Sequence, residues 1–89
     1  GITALVQFLS KNLKYPTVCK EQKIQGKVLM KFTVKSDGSI SNIRVTKSVD
    51  PYLDKEAVRV VKSMPRWIPG TQDGKPVSVE YTLPITFKL

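Results

Sequence analysis

The feature that most constrains the fold is a run of strict alternation at the end of the chain. From Val77 to Leu89, apolar side chains occupy every second position, and the positions between them are mostly polar. Period two over so many residues predicts a long β-strand with one buried face. Pro84 lies within this run, in the polar register. Because its nitrogen cannot donate to a β-ladder, we expect an edge strand with that nitrogen pointing outward.

The direction of the Pro84 backbone also determines which way the backbone groups of the alternate residues around it point. The N–H and C=O groups of one residue in a strand point the same way, and the direction alternates along the strand. The backbone groups of Thr82, Thr86 and Lys88 would therefore face outward too and be free to pair with another strand. Pro84, which has no N–H, could only accept a hydrogen bond through its carbonyl. The alternative is that Pro84 merely blunts the edge against aggregation. The residues alone leave both interpretations open.

Two more strands precede this run. Alternation begins at Gly26 and continues to Lys35, and a second alternating segment ends at about Ser48. The short polar segment between them predicts a hairpin turn, in which Gly38 supplies a positive φ. Ile40 is out of step with the rest of its strand. This predicts either a bulge or a start before regular pairing begins.

Apolar residues at steps of three and four predict two helices. The first covers residues 2–13 and ends at Tyr15-Pro16, since the residue before a proline avoids the helical region. Its predicted apolar face consists of Ile2, Leu5, Val6, Leu9 and Leu13. One more short helical turn, over residues 17–23, stays an open alternative. The second helix begins with Asp50 as the capping residue and Pro51 at the first helical position.

These elements predict an α+β domain with the chain order α-β-β-α-β. Each strand has one apolar face, so two helices would pack on one face of a three-stranded, antiparallel-rich sheet. The second helix would return the chain beside the first strand, which gives the sheet order 2-1-3. Pro69-Gly70 and Asp73-Gly74 are expected to mark an irregular loop. We expect residues 1–89 to form a single domain and, because the chain begins at Gly1 rather than Met, to be a piece of a longer protein.

Composition limits the chemistry. There is no histidine, which removes the commonest general base and the commonest metal ligand. The acidic residues form no pair suited to acid–base catalysis. We therefore expect no enzyme, no metal and no cofactor. Cys19 cannot form an internal disulfide on its own, and its role stays open. The net charge of +8 attracts anions, or it merely keeps a small domain soluble.

The polar face of the predicted sheet carries Lys27, Lys31, Lys35 and Arg44. An RNA-binding sheet would add aromatic platforms on this face, but here the strand aromatics fall in the apolar register. A solvated face is therefore favoured over an anion-binding or nucleic-acid-binding module, and no nucleic acid is expected. Trp67 is either a surface anchor for a partner or a core plug between helix and sheet, and the plug is favoured.

Short motifs extend over the chain from Tyr15 onward. In order they are Tyr15-Pro16, Ile24-Gln25-Gly26-Lys27-Val28, Asp37-Gly38, Leu53-Asp54, Met64-Pro65-Arg66-Trp67, Pro69-Gly70 and the closing segment Tyr81–Leu89. In this order and spacing, they resemble the TonB C-terminal domain family. The Met-Pro-Arg-Trp and Leu-Pro-Ile segments are similar to Bacteroidetes-type energy transducers.

The resemblance implies a function that composition does not. Members of the family are anchored in the bacterial inner membrane by an N-terminal helix and cross the periplasm by a proline-rich linker. We expect both to lie outside this piece. The N-terminal region works with ExbB and ExbD, which capture the proton motive force. The C-terminal domain grips outer-membrane receptors and drives uptake of iron–siderophores, cobalamin or glycans. The resemblance thus implies a periplasmic receptor-binding domain.

The resemblance also implies where a receptor binds. A short receptor segment, the TonB box, adds a strand to the exposed sheet edge. Carried over by position, the docking residues are Tyr81, Thr82, Leu83, Pro84, Ile85, Thr86, Phe87 and Lys88. Tyr15 and Pro16 match a second receptor-contacting motif of the family, although Leu13-Lys14 stands where a Gln-Pro pair is common.

Four alternatives stay open at this point. The domain could be fused to a sensor or peptidase, or could bind a cell-wall polymer. A homodimer could form through the same edge, because an edge strand that accepts a peptide could also accept a second copy. From another class of function, the lysine-rich face could make the chain an anion-binding module.

Overall fold

The structure is a computed structural model, which describes the backbone of residues 2–89 and the side chains of residues 7–89. In chain order, the elements are α1 (Ile2–Asn12), α2 (Thr17–Glu21), β1 (Gly26–Val34), β2 (Ile40–Lys47), α3 (Pro51–Lys62), β3 (Gly70–Gln72), β4 (Lys75–Val77) and β5 (Val79–Phe87). The long strands form an antiparallel sheet in the order β2-β1-β5, and β3 pairs with β4 alone. An α+β domain with a three-stranded antiparallel sheet is therefore confirmed, and the last long strand lies beside the first.

The predicted chain order is wrong in two places. The turn left open after Pro16 is a complete short helix, α2, so the described residues contain three helices rather than two. The expected irregular loop contains the hairpin β3-β4. Asp73 (φ 52) and Gly74 (φ 77) both take the left-handed conformation at its turn, as two-residue hairpin turns often require. The predicted last strand is accordingly two elements. Its alternation runs through both β4 and β5, because both are extended, and so it hides the break between them at Ser78.

The hydrophobic core lies between the helices and one face of the sheet. From Val28 onward, every second residue of β1 is fully buried, and α3 covers this face. The buried apolar side chains are Cys19, Val28, Met30, Phe32, Val34, Leu53, Ala57, Val60, Val61, Ile85 and Phe87. Of the predicted apolar face of α1, the side chains of Leu9 and Leu13 pack against this core. Those of Ile2, Leu5 and Val6 lie outside the described residues.

Helix α3 begins as its sequence predicts. The Asp50 carboxylate accepts hydrogen bonds from the N–H groups of Tyr52, at 2.9 Å, and Leu53, at 3.4 Å. These are the N–H groups that the first helical turn leaves unpaired. Cys19 is buried beside this cap, with its Sγ 3.4 Å from the same carboxylate. Burial, followed by the contact with Asp50, raises the pKa of the Cys19 thiol.

The bulge predicted near Ile40 lies two residues further along β2. Ile40 itself pairs with Val34, and the register shifts between Lys31 and Thr33. Opposite this shift, Asn42 takes the left-handed conformation, with φ 53. The extra residue restores the phase of the strand, so Ile40, Ile43 and Val45 all pack against the core.

Trp67 is a core plug rather than a surface anchor. Its ring centroid lies 5.3 Å from that of Phe32 and 5.3 Å from that of Tyr81. The backbone N–H of Trp67 donates to the Gly38 carbonyl at 2.9 Å. Gly38 has a φ of 85, and a Cβ there would collide with the Trp67 carbonyl oxygen. Glycine is therefore required at this turn both by its conformation and by the close approach of Trp67.

Candidate partner-binding edge

The outer edge of β5 is regular along its whole length. Nine consecutive residues of β5 pair with β1, from Val79 opposite Val34 to Phe87 opposite Gly26. Within the described residues, no strand pairs with the other side of β5, since β5 ends the sheet order. This is the type of edge to which a strand from another chain can be added.

Hydrogen bonds elsewhere in the sheet show which way Pro84 points. Pro84 lies opposite Leu29 of β1, and the Leu29 carbonyl accepts a hydrogen bond from Thr46 Oγ1 of β2 at 3.3 Å. The backbone groups of Leu29 therefore face β2, and those of Pro84 face away from β1. At the end of the chain, the Leu89 N–H donates to Gln25 Oε1, beside the start of β1, at 2.9 Å. Odd-numbered residues of this segment thus face β1, and even-numbered residues face outward.

The eight predicted docking residues of this segment consequently divide into two sets. Thr82, Thr86 and Lys88 direct their N–H and C=O groups outward, and Pro84 directs only its C=O outward. Their side chains are exposed. The other four, Tyr81, Leu83, Ile85 and Phe87, turn their backbone groups to β1 and their side chains to the core. Ile85 and Phe87 are only 1% and 2% exposed, so their side chains lie beyond the reach of a partner.

Glu80 belongs to the outward row and was missed by sequence reasoning. It occupies the same register as Pro84, two steps before Thr82, and its backbone groups face the same way. Glu80 could have been found by counting back from Pro84 two residues at a time, because such residues direct their backbone groups the same way. Its carboxylate lies 2.7 Å from Arg44 Nη2 and 3.7 Å from Lys31 Nζ. The hydrogen bond from Arg44 and the positive charge of that residue hold the pKa of Glu80 below its ordinary value.

The ion pairs of Glu80 lie on the lysine-rich face of the sheet, the polar face that carries Lys27, Lys31, Lys35 and Arg44. Two of the four cations predicted there, Lys31 and Arg44, already bind the Glu80 carboxylate. A bound anion would have to compete with that carboxylate for both groups. The structure thus favours a solvated face that is partly neutralised by its own strand β5 over a site for anions.

Tyr15 lies beneath the end of the same edge, and Pro16 follows it at the start of α2. The Tyr15 hydroxyl donates a hydrogen bond to the Ile24 carbonyl, and its ring meets that of Phe87 edge-on, with centroids 5.6 Å apart. Burial, with a smaller contribution from Cys19, raises the pKa of Tyr15. Pro16 caps α2, its carbonyl accepting from Cys19 and Lys20. The structure therefore brings the two predicted parts of the site together through packing. A direct contact between Tyr15-Pro16 and a partner stays a prediction.

A clamp on α3 holds the chain between α1 and α2. Glu56 accepts a hydrogen bond from the Lys14 N–H at 2.6 Å, and Arg59 donates to the Asn12 carbonyl at 2.8 Å. Arg59 also makes two hydrogen bonds to Glu56, at 2.6 and 2.8 Å. Burial acts to raise the pKa of Glu56, but the hydrogen bonds from Arg59 and Lys14 hold it below its ordinary value. The Glu-x-x-Arg spacing was visible in the sequence, but its partner 42 residues away was not.

An open groove separates α1 from β5. It has a volume of about 290 Å³ and is lined by Leu9, Ser10, Leu13, Pro84, Ile85 and Thr86. The groove therefore runs directly beside the outward row of β5. Within the described residues, no group of histidine, cysteine and carboxylate side chains has the arrangement of a metal site. None of the described helices has the length and apolar character needed to cross a membrane.

Comparison with known proteins gives a family. The model of the family described as Gram-negative bacterial TonB protein C-terminal matches residues 11–89. Protein TonB of Haemophilus influenzae is 35% identical over 85 residues, which cover 91% of this chain and 32% of that protein. Protein TonB of Helicobacter pylori is 33% identical over 81 residues, which cover 90% of this chain and 27% of that protein. The chain thus spans about a third or less of the length of these relatives.

Solved structures agree with the sequence relatives. Two NMR solution structures of the Helicobacter pylori TonB-CTD match this fold with TM-scores of 0.77 and 0.74. The first is 26% identical and the match covers 99% of this chain and 79% of that one. The second is 25% identical and the match covers 98% and 91%. The chain belongs to the TonB C-terminal domain family.

Proposed function

We propose that this domain binds outer-membrane receptors by accepting an extended receptor segment, the TonB box, as a new strand on the outward edge of β5. The observation that carries the proposal is the unpaired outward row of Glu80, Thr82, Pro84, Thr86 and Lys88 beside a regular nine-residue ladder. In strand addition, main-chain hydrogen bonds provide affinity and alternate side chains provide choice. The family assignment supports a receptor as the partner.

The domain performs this role in the periplasm, as the C-terminal part of an energy transducer anchored in the inner membrane. The rest of that protein contacts ExbB and ExbD, and the receptor takes up a siderophore, cobalamin or a glycan. The edge geometry suits the transfer of force. Hydrogen bonds between strands lie across the strand direction, so a pull along the strand loads many of them together. Family membership is the support for these steps.

The alternatives that sequence reasoning left open are less well supported. An anion-binding module would need the lysine-rich face, where Glu80 already forms ion pairs with Lys31 and Arg44. A homodimer would use the same row of β5, and so it competes with the receptor segment rather than excluding it. A cell-wall ligand or a fused sensor or peptidase concerns the remainder of a longer protein, and no contact in the described residues favours either.

An amide-shift titration of the isotope-labelled chain tests the proposal. The ligand is a synthetic TonB-box peptide from a receptor of the same organism, with a scrambled peptide and a short oligonucleotide as controls. We expect shifts at the amides of Glu80, Thr82, Thr86 and Lys88 with the native peptide alone. Thr86→Pro removes one outward donor and should weaken binding about tenfold, whereas Thr86→Ala, which keeps the N–H, should not.

Two results would contradict the proposal. Equal shifts with the scrambled peptide would show that the edge does not select a receptor segment. Oligonucleotide-induced shifts along Lys27, Lys31 and Lys35 that fade with added salt, without shifts in β5, would establish the anion-binding alternative. Sedimentation of the free chain at increasing concentration shows whether a second copy occupies the edge first.

A further inference from the structure

The groove between α1 and β5 lies where a strand added to β5 would place its side chains. Its β5 wall consists of Pro84, Ile85 and Thr86, which belong to the edge itself. Its other wall is the last turn of α1 and the residue after it, with Leu9, Ser10 and Leu13. Groove and edge therefore form one continuous surface, and a partner that pairs with the edge must pass along the groove.

The geometry of a sheet determines which side chain of the partner enters. Residues level with one another on adjacent strands project their side chains to the same face of the sheet. Ile85 projects to the helix-covered face, where it is 1% exposed. The partner residue level with Ile85 therefore projects into the space between Ile85 and α1. Its two neighbours project to the opposite, open face of the sheet.

The chemistry of the walls determines which side chain fits. None of the described residues that line the groove carries a charge. Leu9 and Leu13 are only half-buried, although both contact the core. A large apolar side chain would remove their remaining exposed surface from water, whereas a polar side chain would lose hydrogen bonds to water without replacement.

We propose that this groove is a specificity pocket that selects partner segments with a large apolar side chain at the position level with Ile85. Leu9 and Leu13 are its specificity-determining residues. The inference rests on the strand addition proposed above and adds the side chain that the bound strand must carry. The Glu56–Arg59 clamp is the positioning element, since it fixes Lys14 and Asn12 and with them the end of α1.

Two uncharged synthetic peptides test the pocket. The host is a blocked heptapeptide, Thr-Ser-Thr-X-Thr-Ser-Thr, whose guest X is leucine in one peptide and serine in the other. Only the guest can be apolar, so a shifted register cannot fill the groove. We expect the leucine peptide to bind about tenfold more tightly in an amide-shift titration. Its leucine methyl groups should give nuclear Overhauser contacts to the methyl groups of Leu9 or Leu13.

Variants that leave the core intact distinguish an effect on binding in the groove from an effect on the stability of the fold. Ser10 lines the groove and is exposed, so Ser10→Phe fills the pocket without disturbing the core. It should reduce binding of the leucine peptide to the level of the serine peptide. Lys11 is exposed and does not line the groove, so Lys11→Phe is the matched control and should keep the preference.

The outcomes distinguish the two proposals. Equal binding of both peptides, with shifts in β5, would overturn the pocket and leave strand addition standing. A preference for leucine that survives Ser10→Phe would also overturn it. Failure of both host peptides to bind overturns the pocket, and strand addition is then decided by the receptor peptide alone.

Discussion

The two edges of the sheet differ in regularity, although both belong to strands of similar length. β5 pairs with β1 over nine residues without a shift. β2 pairs with the other side of β1 through two irregularities, one between Leu29 and Met30 and one between Lys31 and Thr33. At the second, Asn42 is left-handed, and Arg44 Nη1 donates to the Asn42 carbonyl at 3.0 Å. Backbone shape therefore distinguishes the edges more clearly than side-chain polarity does.

The difference bears on the strand addition proposed above, because it leaves β5 as the edge better suited to pairing. Bulges twist an edge away from the flat geometry that another strand needs, and they are a common protection against unwanted pairing. β2 has this protection. β5 lacks a bulge, and its Pro84 removes one donor from the row and leaves the remaining donors on either side of it. We infer that a partner strand is directed to β5 because β2 does not match it.

The largest effect is expected where the inward side chains of β5 pack against the core. Phe87 is 2% exposed and packs against Tyr15, so Phe87→Ala should lower the free energy of unfolding by about 3–5 kcal/mol. Thr86 is the matched control, because its side chain is exposed, and Thr86→Ala should cost less than about 0.5 kcal/mol. Urea denaturation followed by tryptophan fluorescence measures both. Similar losses for the two variants would show that the inward and outward sets of β5 are assigned wrongly.

A smaller effect tests the irregularity of β2. Asn42 has a φ of 53, which a β-branched residue adopts only with strain. Asn42→Val should therefore destabilise the fold by about 1–3 kcal/mol. Asn42→Gly, which accepts this conformation readily, should be close to neutral. Thermal unfolding of the three proteins gives the ranking. If valine were tolerated as well as glycine, the bulge would not depend on the left-handed residue, and the contrast between the edges would weaken.

The smallest effect concerns the ion cluster that joins the two edges across β1. Arg44 and Lys31 hold the pKa of Glu80 below its ordinary value of 4.5. A group with a depressed pKa in the folded state stabilises the fold above its unfolded pKa. That contribution is lost as the pH falls through the folded pKa. The fold should thus lose a small part of its stability below pH 4.5, and Glu80→Gln should lack this part.

Carbon-detected titration of the Glu80 carboxyl group measures this pKa directly. Because Glu80 is about half exposed, with 47% of its side-chain surface accessible, salt should move the pKa back toward its ordinary value. An ordinary pKa for Glu80 at low salt would show that Arg44 and Lys31 do not bind it in solution.

Much of the edge was predictable from local patterns. Strict alternation assigned the faces of β1 and β5 correctly, and the register of Pro84 predicted which backbone groups face outward. The β3-β4 hairpin was not predictable from alternation, since Val77 and Val79 continue one period across two separate strands. The bulge at Asn42 was placed two residues too early, because an apolar residue out of step reports a phase change but not where the extra residue lies.

The direction in which each residue of β5 turns follows from local properties of the chain, namely the period of a strand and the missing donor of proline. What lies beside that edge depends instead on how the whole chain packs. Leu9 and Leu13 lie across a groove from Pro84, and Glu56 accepts a hydrogen bond from Lys14, because the path of the whole chain brings together elements distant in sequence. No local pattern encodes that path, since it results from the joint burial of apolar faces from every element.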